Sequence, residues 1–421
     1  MRIAMIAYTF YTFDPRVKRA AETLTESGHQ VDVFAVSYDG IKASSDGGSL
    51  RVRLLPMQKK QTGLARYAFE YSAFFSWAFV LVSLLHARRR YHVVYVHNMP
   101  NFLVFAGLFP KIGGAKIVLD VHDPAAELLA DIRGRDLPPW AQRLANAEER
   151  ISISFSDALI TVNESMRRRL SARSSRPVSV VMNIPDPRRF APLEASRDRG
   201  SFEWIVYSGS IAYRNGLDLV VQAVSLLADE FPSLRFRVIG EGPALESVVR
   251  LAEHLGVADR VEFRGLVPNA QIPSMLSDAV AGISPQRGGV FGSLVFSMKV
   301  AEYVALGLPV ICSGIATMRH YFSDDELQFF EPENAEDLAR AVRALLANPV
   351  AAEERAARSL MKLDKLGWPA QIETLVETVE ALAGSRELHS WRKARARSPL
   401  VGQVCRMQVA RPKDKETTKH A

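Results

Sequence analysis

Residues 299–311, K-V-A-E-Y-V-A-L-G-L-P-V-I, set one carboxylate, Glu302, among apolar neighbours. The run reads as a helix stopped by Gly307 and a strand opened by Pro309. On such a helix Met298, Ala305 and Leu306 share the face of Glu302, at spacings of three and four residues. A carboxylate in an apolar stripe is costly unless something hydrogen-bonds it. The paired hydroxyls of a sugar or a ribose have that chemistry. Partial exposure, or an Arg or Lys from elsewhere in the chain, would also satisfy it.

The elements that must position this group follow one pattern. Short Val/Ile-rich runs alternate with helical stretches, which predicts a parallel α/β architecture with helices on both faces of each sheet. Strands are expected at 2–8, 30–35, 92–96, 116–121, 158–162 and 178–182, then at 204–208, 235–239, 261–264, 280–284, 309–312 and 327–330. Between the two sets, residues 183–192 (N-I-P-D-P-R-R-F-A-P) hold three prolines and read as a linker. The expected units are therefore 1–182, the linker 183–192, a second domain 193–366, a last helix within 367–384 and a basic tail 385–421.

Ligands of open parallel sheets bind beyond the carboxyl ends of the strands. In the first half those ends carry Tyr8-Thr9, His97-Asn98 and His122-Asp123-Pro124. In the second they carry Ser208-Gly209-Ser210, Gly240-Glu241-Gly242-Pro243, Gly265, Pro285-Gln286-Arg287-Gly288-Gly289 and Ser313-Gly314. Glycines with free backbone N–H groups at helix starts suit phosphate. A nucleotide on the second domain facing another substrate on the first is the arrangement this implies. His122 and His97 could instead cap backbone groups at their strand ends.

Composition sets wide bounds. A chain of 421 residues, 48% hydrophobic and 24% charged, is long enough for two or three domains of about 150 residues each. Two cysteines, Cys312 and Cys405, make neither a disulfide framework nor a metal spacing, which fits a reduced, cytoplasmic setting. Residues 1–8 are too short an apolar run for a signal peptide and read as a buried strand. The net charge of +7 lies wholly in the tail, where ten Lys or Arg face three Asp or Glu. Such a tail suits an anionic lipid surface, or no fixed partner at all. Nucleic acid is not expected, since Trp391 is its one stacking ring. Residues 71–87 form an uncharged, aromatic-rich run closed by Arg88-Arg89-Arg90. It reads as a helix buried against a sheet, a helix lying in a membrane interface, or a short span.

These segments together resemble the retaining glycosyltransferases of family four, with the GT-B fold, as far as about Gly384. The resemblance rests on D-P-R-V-K-R-A-A-E-T-L (14–24), V-V-Y-V-H-N (93–98), L-D-V-H-D-P-A-A-E-L (119–128), Y-S-G-S-I-A-Y-R-N-G-L-D (207–218), V-I-G-E-G-P (238–243), V-E-F-R-G-L-V (261–267) and K-V-A-E-Y-V-A-L-G-L-P-V-I-C-S (299–313). The closing G-W-P-A-Q-I-E-T-L (367–375) resembles the helix that crosses back to the first domain in this fold.

The resemblance implies two Rossmann-like domains facing each other across a cleft, and transfer of a sugar from a UDP- or GDP-sugar to a saccharide or lipid-linked acceptor, without metal or cofactor. It matches Glu302 to the ribose-binding glutamate, and Gly209, Ser210, Arg214, Asn215 and Gly216 to the diphosphate region. Glu241, Gly242 and Pro243 frame the base, and His122, beside Asp123, lies near the donor sugar. Asp14 and Arg16, with His97 and Asn98, lie on the acceptor side. Two positions depart from the usual pattern. Leu294 stands where many members have a second glutamate, and Ser210 and Asn215 stand where many have Arg and Lys. Lys299, Arg214 or Arg287 would then meet the phosphate charge. The alternatives are a nucleotide-sugar epimerase of the same architecture and a silent protein that only binds the nucleotide-sugar.

Overall fold

The computed structural model describes residues 1–37, 48–57, 64–133, 137–185, 190–192 and 202–382. The tail 385–421 and linker residues 186–189 lie outside the described residues.

The first sheet is built from β1 (Arg2–Phe10), β2 (Gln30–Val36), β3 (Leu50–Leu55), β4 (Val93–His97), β5 (Lys116–Val121), β6 (Ala158–Thr161) and β7 (Val178–Val180). All are parallel, in the order β3-β2-β1-β4-β5-β6-β7. Its helices are α1 (Pro15–Glu26), α2 (Leu64–Arg89), α3 (Leu108–Ile112), α4 (Ala125–Arg133), α5 (Pro139–Phe155) and α6 (Glu164–Ser171). Successive strand residues point to opposite faces. Ala4 and Ile6 therefore pack with Phe74, Ala78 and Val82 of α2, while Ile3 and Met5 pack with Val17, Ala21 and Leu24 of α1.

The second sheet holds β8 (Glu203–Ser208), β9 (Leu234–Ile239), β10 (Val261–Phe263), β11 (Ala279–Ser284), β12 (Val310–Ser313) and β13 (Gln328–Phe330), all parallel, in the order β10-β9-β8-β11-β12-β13. Its helices are α7 (Leu217–Leu226), α8 (Leu245–His254), α9 (Ile272–Met275), α10 (Gly289–Gly292), α11 (Met298–Ala305), α12 (Ala316–Tyr321), α13 (Ala335–Ala347) and α14 (Pro349–Leu366). The strand order reverses between β1 and β4 in one sheet and between β8 and β11 in the other. Each reversal opens a crevice at the strand ends.

The last helix, α15 (Trp368–Glu380), returns to the first domain. Its Leu375, Val376 and Val379 are buried against α1 and β1, and Gln371 Oε1 accepts the Met182 N–H at 2.7 Å. Around the expected linker, Met182, Ile184 and Phe190 are buried in the second domain's core beside Val206 and Ile239. Contacts also cross the cleft directly. Asn163 Nδ2 donates to the Leu294 carbonyl at 2.8 Å, and Leu294 packs against the first domain's core. Thr317 Oγ1 reaches Ser165 Oγ at 2.8 Å, and Glu164 N–H donates to the Tyr321 hydroxyl at 2.8 Å.

One strand differs from the sequence reading, and the run 71–87 forms a helix with one face on a sheet, one of the alternatives stated for it. Strand β3 was not expected: its L-R-V-R-L-L alternates with arginines because it is a half-buried edge strand, not a continuous apolar run. The run 71–87 lies inside the longer α2, with one face in the core and Glu70 buried, accepting from the Tyr8 hydroxyl at 2.8 Å and Arg66 Nε at 2.6 Å. The segment Arg66–Arg89 is long and apolar enough to cross a membrane by length and composition, at a mean hydropathy of 1.6. Its inner face is committed to the sheet.

A tight contact joins this scaffold to the site. A Cβ on Gly282 of β11 would enter the ring of Tyr303 on α11, and that ring is pinned because its hydroxyl accepts the Ser208 N–H at 2.8 Å. Gly282→Ala should therefore cost about 1–3 kcal/mol through overpacking. Urea denaturation reads this directly, and a variant as stable as the parent would show that Tyr303 yields freely.

Candidate active site

The crevice of the first sheet collects His97, Asn98, His122 and Asp123 at the ends of β4 and β5, with Asp14 and Arg16 beyond β1. Both histidines are buried, and His97 Nδ1 lies 3.0 Å from His122 Nε2, so one proton sits between the rings. Behind them Tyr95 donates its hydroxyl hydrogen to Asp120 Oδ2 at 2.6 Å. Asp120 Oδ2 is 3.4 Å from His97 Nδ1, and Asp120 Oδ1 is 3.3 Å from His122 Nδ1. The second pair is out of line for a hydrogen bond. Among the described residues, Asp120 Oδ1, His122 Nδ1 and His97 Nε2 have no hydrogen-bond partner. Asn98 ties the two strand ends, accepting the His122 N–H at 2.8 Å and donating to the Asp123 carbonyl at 2.8 Å. Asp14 caps α1, its Oδ1 accepting from the Arg16 and Val17 N–H groups at 3.1 and 3.2 Å.

Burial dominates the protonation of this cluster. It pushes Asp120 up to about 6, opposed by the Tyr95 hydrogen bond and by Arg16. It pushes His97 down to about 3 and His122 well below the ordinary imidazole range. At neutral pH both rings are therefore neutral. Asp123 is also raised by burial, against the opposing charges of Arg16 and Arg214. Arg214 belongs to the second domain, so the two crevices sit close enough for their charges to act on each other. His97, Asp120 and His122 are the one cluster among the described residues with metal-ligating atoms within 4.8 Å of one another. A cation there would have to displace the proton between the rings, and would meet the positive charge of Arg16 already acting on all three groups.

The second crevice is made by backbone. Gly209, at φ 142°, ends β8, and Gly240, at φ 140°, ends β9 so closely that a Cβ on Gly240 would enter the Gly209 carbonyl. The Ile211 N–H continues the contact, donating to the Glu241 carbonyl at 2.9 Å, and Gly242 packs on Ile211. Glu241 and Pro243 are exposed at this edge. Gly216 opens α7 at φ 63°, pressed on the Pro285 carbonyl. The Ser210 carbonyl accepts from the Tyr207 hydroxyl at 2.7 Å and from Asn215 Nδ2 at 2.6 Å, so Asn215 shapes the loop.

Lys299, second residue of α11, lies across this edge. A Cβ on Gly209 would come 2.6 Å from Lys299 Cε, and Lys299 Nζ stands 5.3 Å from the Tyr207 ring centroid. Burial pushes its ammonium down to about 8, Arg214 adds to that, and Glu302 opposes it. Glu302 follows one turn later, half-buried on α11. Lys299, Arg214, Glu302 and the backbone of Gly209 thus share one corner. Arg287 is placed otherwise than expected. Its Nη2 donates to Asp218 Oδ2 at 2.5 Å, its Nη1 lies 3.6 Å from Glu333, and its guanidinium stacks on Tyr213. Two carboxylates engage it, and it braces the turn before α7.

Asp120 and Tyr95 escaped the sequence reading. The available signal was a charged residue inside the apolar β5 run, two positions before His122 and hence on the same strand face.

The sign of the pH response follows from the cluster. Between about 4 and 6 the folded state binds the Asp120 proton and the unfolded state does not, so this group lowers stability as pH rises. His97 and His122 act oppositely, because over that window the unfolded chain binds protons that the folded one refuses. Asp120→Asn should therefore steepen the gain in stability from pH 4.5 to 6, by about 1.4 kcal/mol per pH unit at most. Urea midpoints across that range test it; a shallower slope in the variant would contradict the assignment.

The chain matches two family models, "Glycosyl transferase 4-like domain" over residues 14–185 and "Glycosyl transferases group 1" over residues 194–359. It is 25% identical over 366 residues to 2-deoxystreptamine glucosyltransferase of Streptomyces kanamyceticus, covering 82% of this chain and 92% of that protein. It is 22% identical over 342 residues to the gpi3 subunit of phosphatidylinositol N-acetylglucosaminyltransferase from Schizosaccharomyces pombe, covering 80% and 70%. Among solved structures, sucrose-phosphate synthase of Thermosynechococcus elongatus shares the fold with a TM-score of 0.74 at 18% identity, over 91% of this chain and 99% of that one. HepE of Anabaena, solved with UDP, does so at 0.67 and 12%, over 90% and 100%. With both halves matched in order, and both sheets and the returning helix in place, the chain belongs to the group 1 glycosyltransferases of the GT-B fold.

Proposed function

We propose that the enzyme transfers a hexosyl group, with retention and without a metal, from a UDP- or GDP-sugar to a saccharide or lipid-linked acceptor. The observation that carries this reading is the corner at Gly209. There Lys299 lies over a backbone edge with the charge of Arg214 acting on it, and that repulsion is part of what depresses Lys299. A diphosphate would relieve that repulsion, and its developing charge on departure would be met by both cations and by backbone N–H groups. Glu302, one turn along the same helix, is then the acceptor for the ribose hydroxyls.

The sugar would project from this corner toward the first crevice. There His122, held neutral at the end of β5, would lay its ring against a sugar hydroxyl or the oxocarbenium-like centre. Asp123 and Arg16 line the same crevice, the acceptor's side. Leu294, whose side chain is packed into the first domain, makes no polar contact to a donor, so the sugar is gripped differently from members with a glutamate there. Cell-surface polysaccharide or glycoconjugate synthesis, on the cytoplasmic face of a membrane, is the process that best fits such an acceptor.

Removing the Glu302 carboxylate tests the nucleotide half. Glu302→Ala should weaken binding of the cognate nucleotide-sugar by about 2–4 kcal/mol, the worth of two hydroxyl bonds to a charged group, with the fold intact. Calorimetric titration with UDP- and GDP-sugars reads the loss. A dissociation constant equal to the parent's would sink the ribose assignment.

A further inference from the structure

We propose that the outer surface of the helical layer α2, α3 and α5 docks flat on an anionic lipid bilayer. This deepens the membrane-face location suggested above, and its test does not use donor binding. Helices α2 and α5 cover the same face of the first sheet; α3 lies beside α2 through the ring contact of Phe79 with Phe109 at 5.5 Å, and the turn 101–107 that leads into α3 reaches α5 through Phe105 and Phe155 at 5.0 Å. A helix that faces water on such a layer normally carries charge outward. From Ala68 to Ala87 the one charged residue of α2 is Glu70, and it points inward to Tyr8 and Arg66. The outward positions are instead Phe69, Val80 and Leu84, exposed by 60%, 54% and 62%, with Ser72 and Ser76 between them.

The hydroxyls there cost little to dehydrate. Ser76 Oγ donates back to the Ser72 carbonyl at 2.8 Å, and Ser83 Oγ donates to the Phe79 carbonyl at 2.6 Å. The neighbouring helices continue the surface. Phe109 and Ile112 of α3 are exposed, Ile112 by 74%, and so are Leu144 and Ile151 of α5, with Trp140 at its start. Apolar exposure on this scale needs a partner.

Charge selects the partner. The exposed ionisable residues on or next to these helices are Arg88, Arg90, Arg143 and Arg150, and among the described residues none of the exposed positions of α2, α3 and α5 is acidic. The carboxylates nearby are turned inward: Glu148 bonds Asn101 and the Phe102 N–H, and Asp157 bonds Lys111. An apolar surface with outward cations and no outward carboxylate complements acyl chains beneath anionic headgroups. The orientation is useful. The Tyr8–Glu70 bond sets the first turns of α2 at the carboxyl edge of the sheet, the edge of the catalytic crevice, so a bilayer along α2 lies beside the acceptor's entrance.

The test is co-sedimentation of the full-length chain with phosphatidylcholine vesicles, with and without phosphatidylglycerol, at low and high salt. The parent should bind the anionic vesicles, and more weakly at high salt. Val80→Glu with Leu84→Glu, and separately Arg143→Glu with Arg150→Glu, should each reduce the bound fraction at least tenfold. Both variants should keep the parent's thermal midpoint and its affinity for the nucleotide-sugar. Three results would overturn the proposal. One is equal vesicle binding by parent and variants. Another is a parent that ignores vesicles but dimerises, with Val80→Glu and Leu84→Glu restoring a monomer, since the surface would then face a second protein. The last is abolition by neutralising Arg392, Lys393, Arg395 and Arg397 alone, since the tail would then be the anchor.

Discussion

Below the cleft, Tyr95, Asp120, His97 and His122 lie out of water in one cluster, with Tyr95 bonded to Asp120 and His97 to His122. The low dielectric there penalises every charge, so the histidines give up their protons and the carboxylate is drawn upward toward neutrality. Arg16, at the start of α1, pushes in the same direction on the rings and in the opposite one on the carboxylate. The outcome is a neutral imidazole at the crevice, held by the Asn98 bond to its backbone and by the ring behind it. A neutral His122 can meet a sugar hydroxyl without bringing a full positive charge against the cationic centre that forms as the donor breaks.

On the proposed reading the second domain has the complementary task of holding a highly charged leaving group. The Gly209 and Gly240 backbones approach closely, and a ligand set on that main chain would meet the charges of Lys299 and Arg214. At 210 and 215 stand a serine and an asparagine whose carbonyl and amide shape the loop. Leu294 brings the two domains together, its carbonyl taken by Asn163 and its side chain by the first core.

Much of this was legible in the sequence, for physical reasons. Strands buried on both faces read as continuous apolar runs, and twelve of the thirteen strands among the described residues were visible that way. Strand β3 was hidden because an edge strand keeps arginines. Residues at strand ends were legible because parallel sheets put chemistry there, which covers His97, Asn98, His122 and the Gly209 edge. Asp120 was not, since a side chain acting from beneath the crevice sits mid-strand. Arg287 looked available because sequence shows a charge and not its partner: Asp218 and Glu333 come from other elements. The aromatic run of α2 left its environment open, because an amphipathic split between sheet and outer surface appears only once Glu70 is seen to face inward.

The central claim is that the nucleotide is held by the second domain while His122 of the first acts on the sugar as charge develops. It is tested most directly by measuring turnover and nucleotide-sugar affinity together in His122→Ala. Turnover with acceptor should fall at least a hundredfold, about 2.7 kcal/mol of transition-state stabilisation, while the donor dissociation constant stays within about twofold of the parent's. Turnover held near the parent's value in a folded variant, or an affinity loss as large as the turnover loss, would contradict that division of labour.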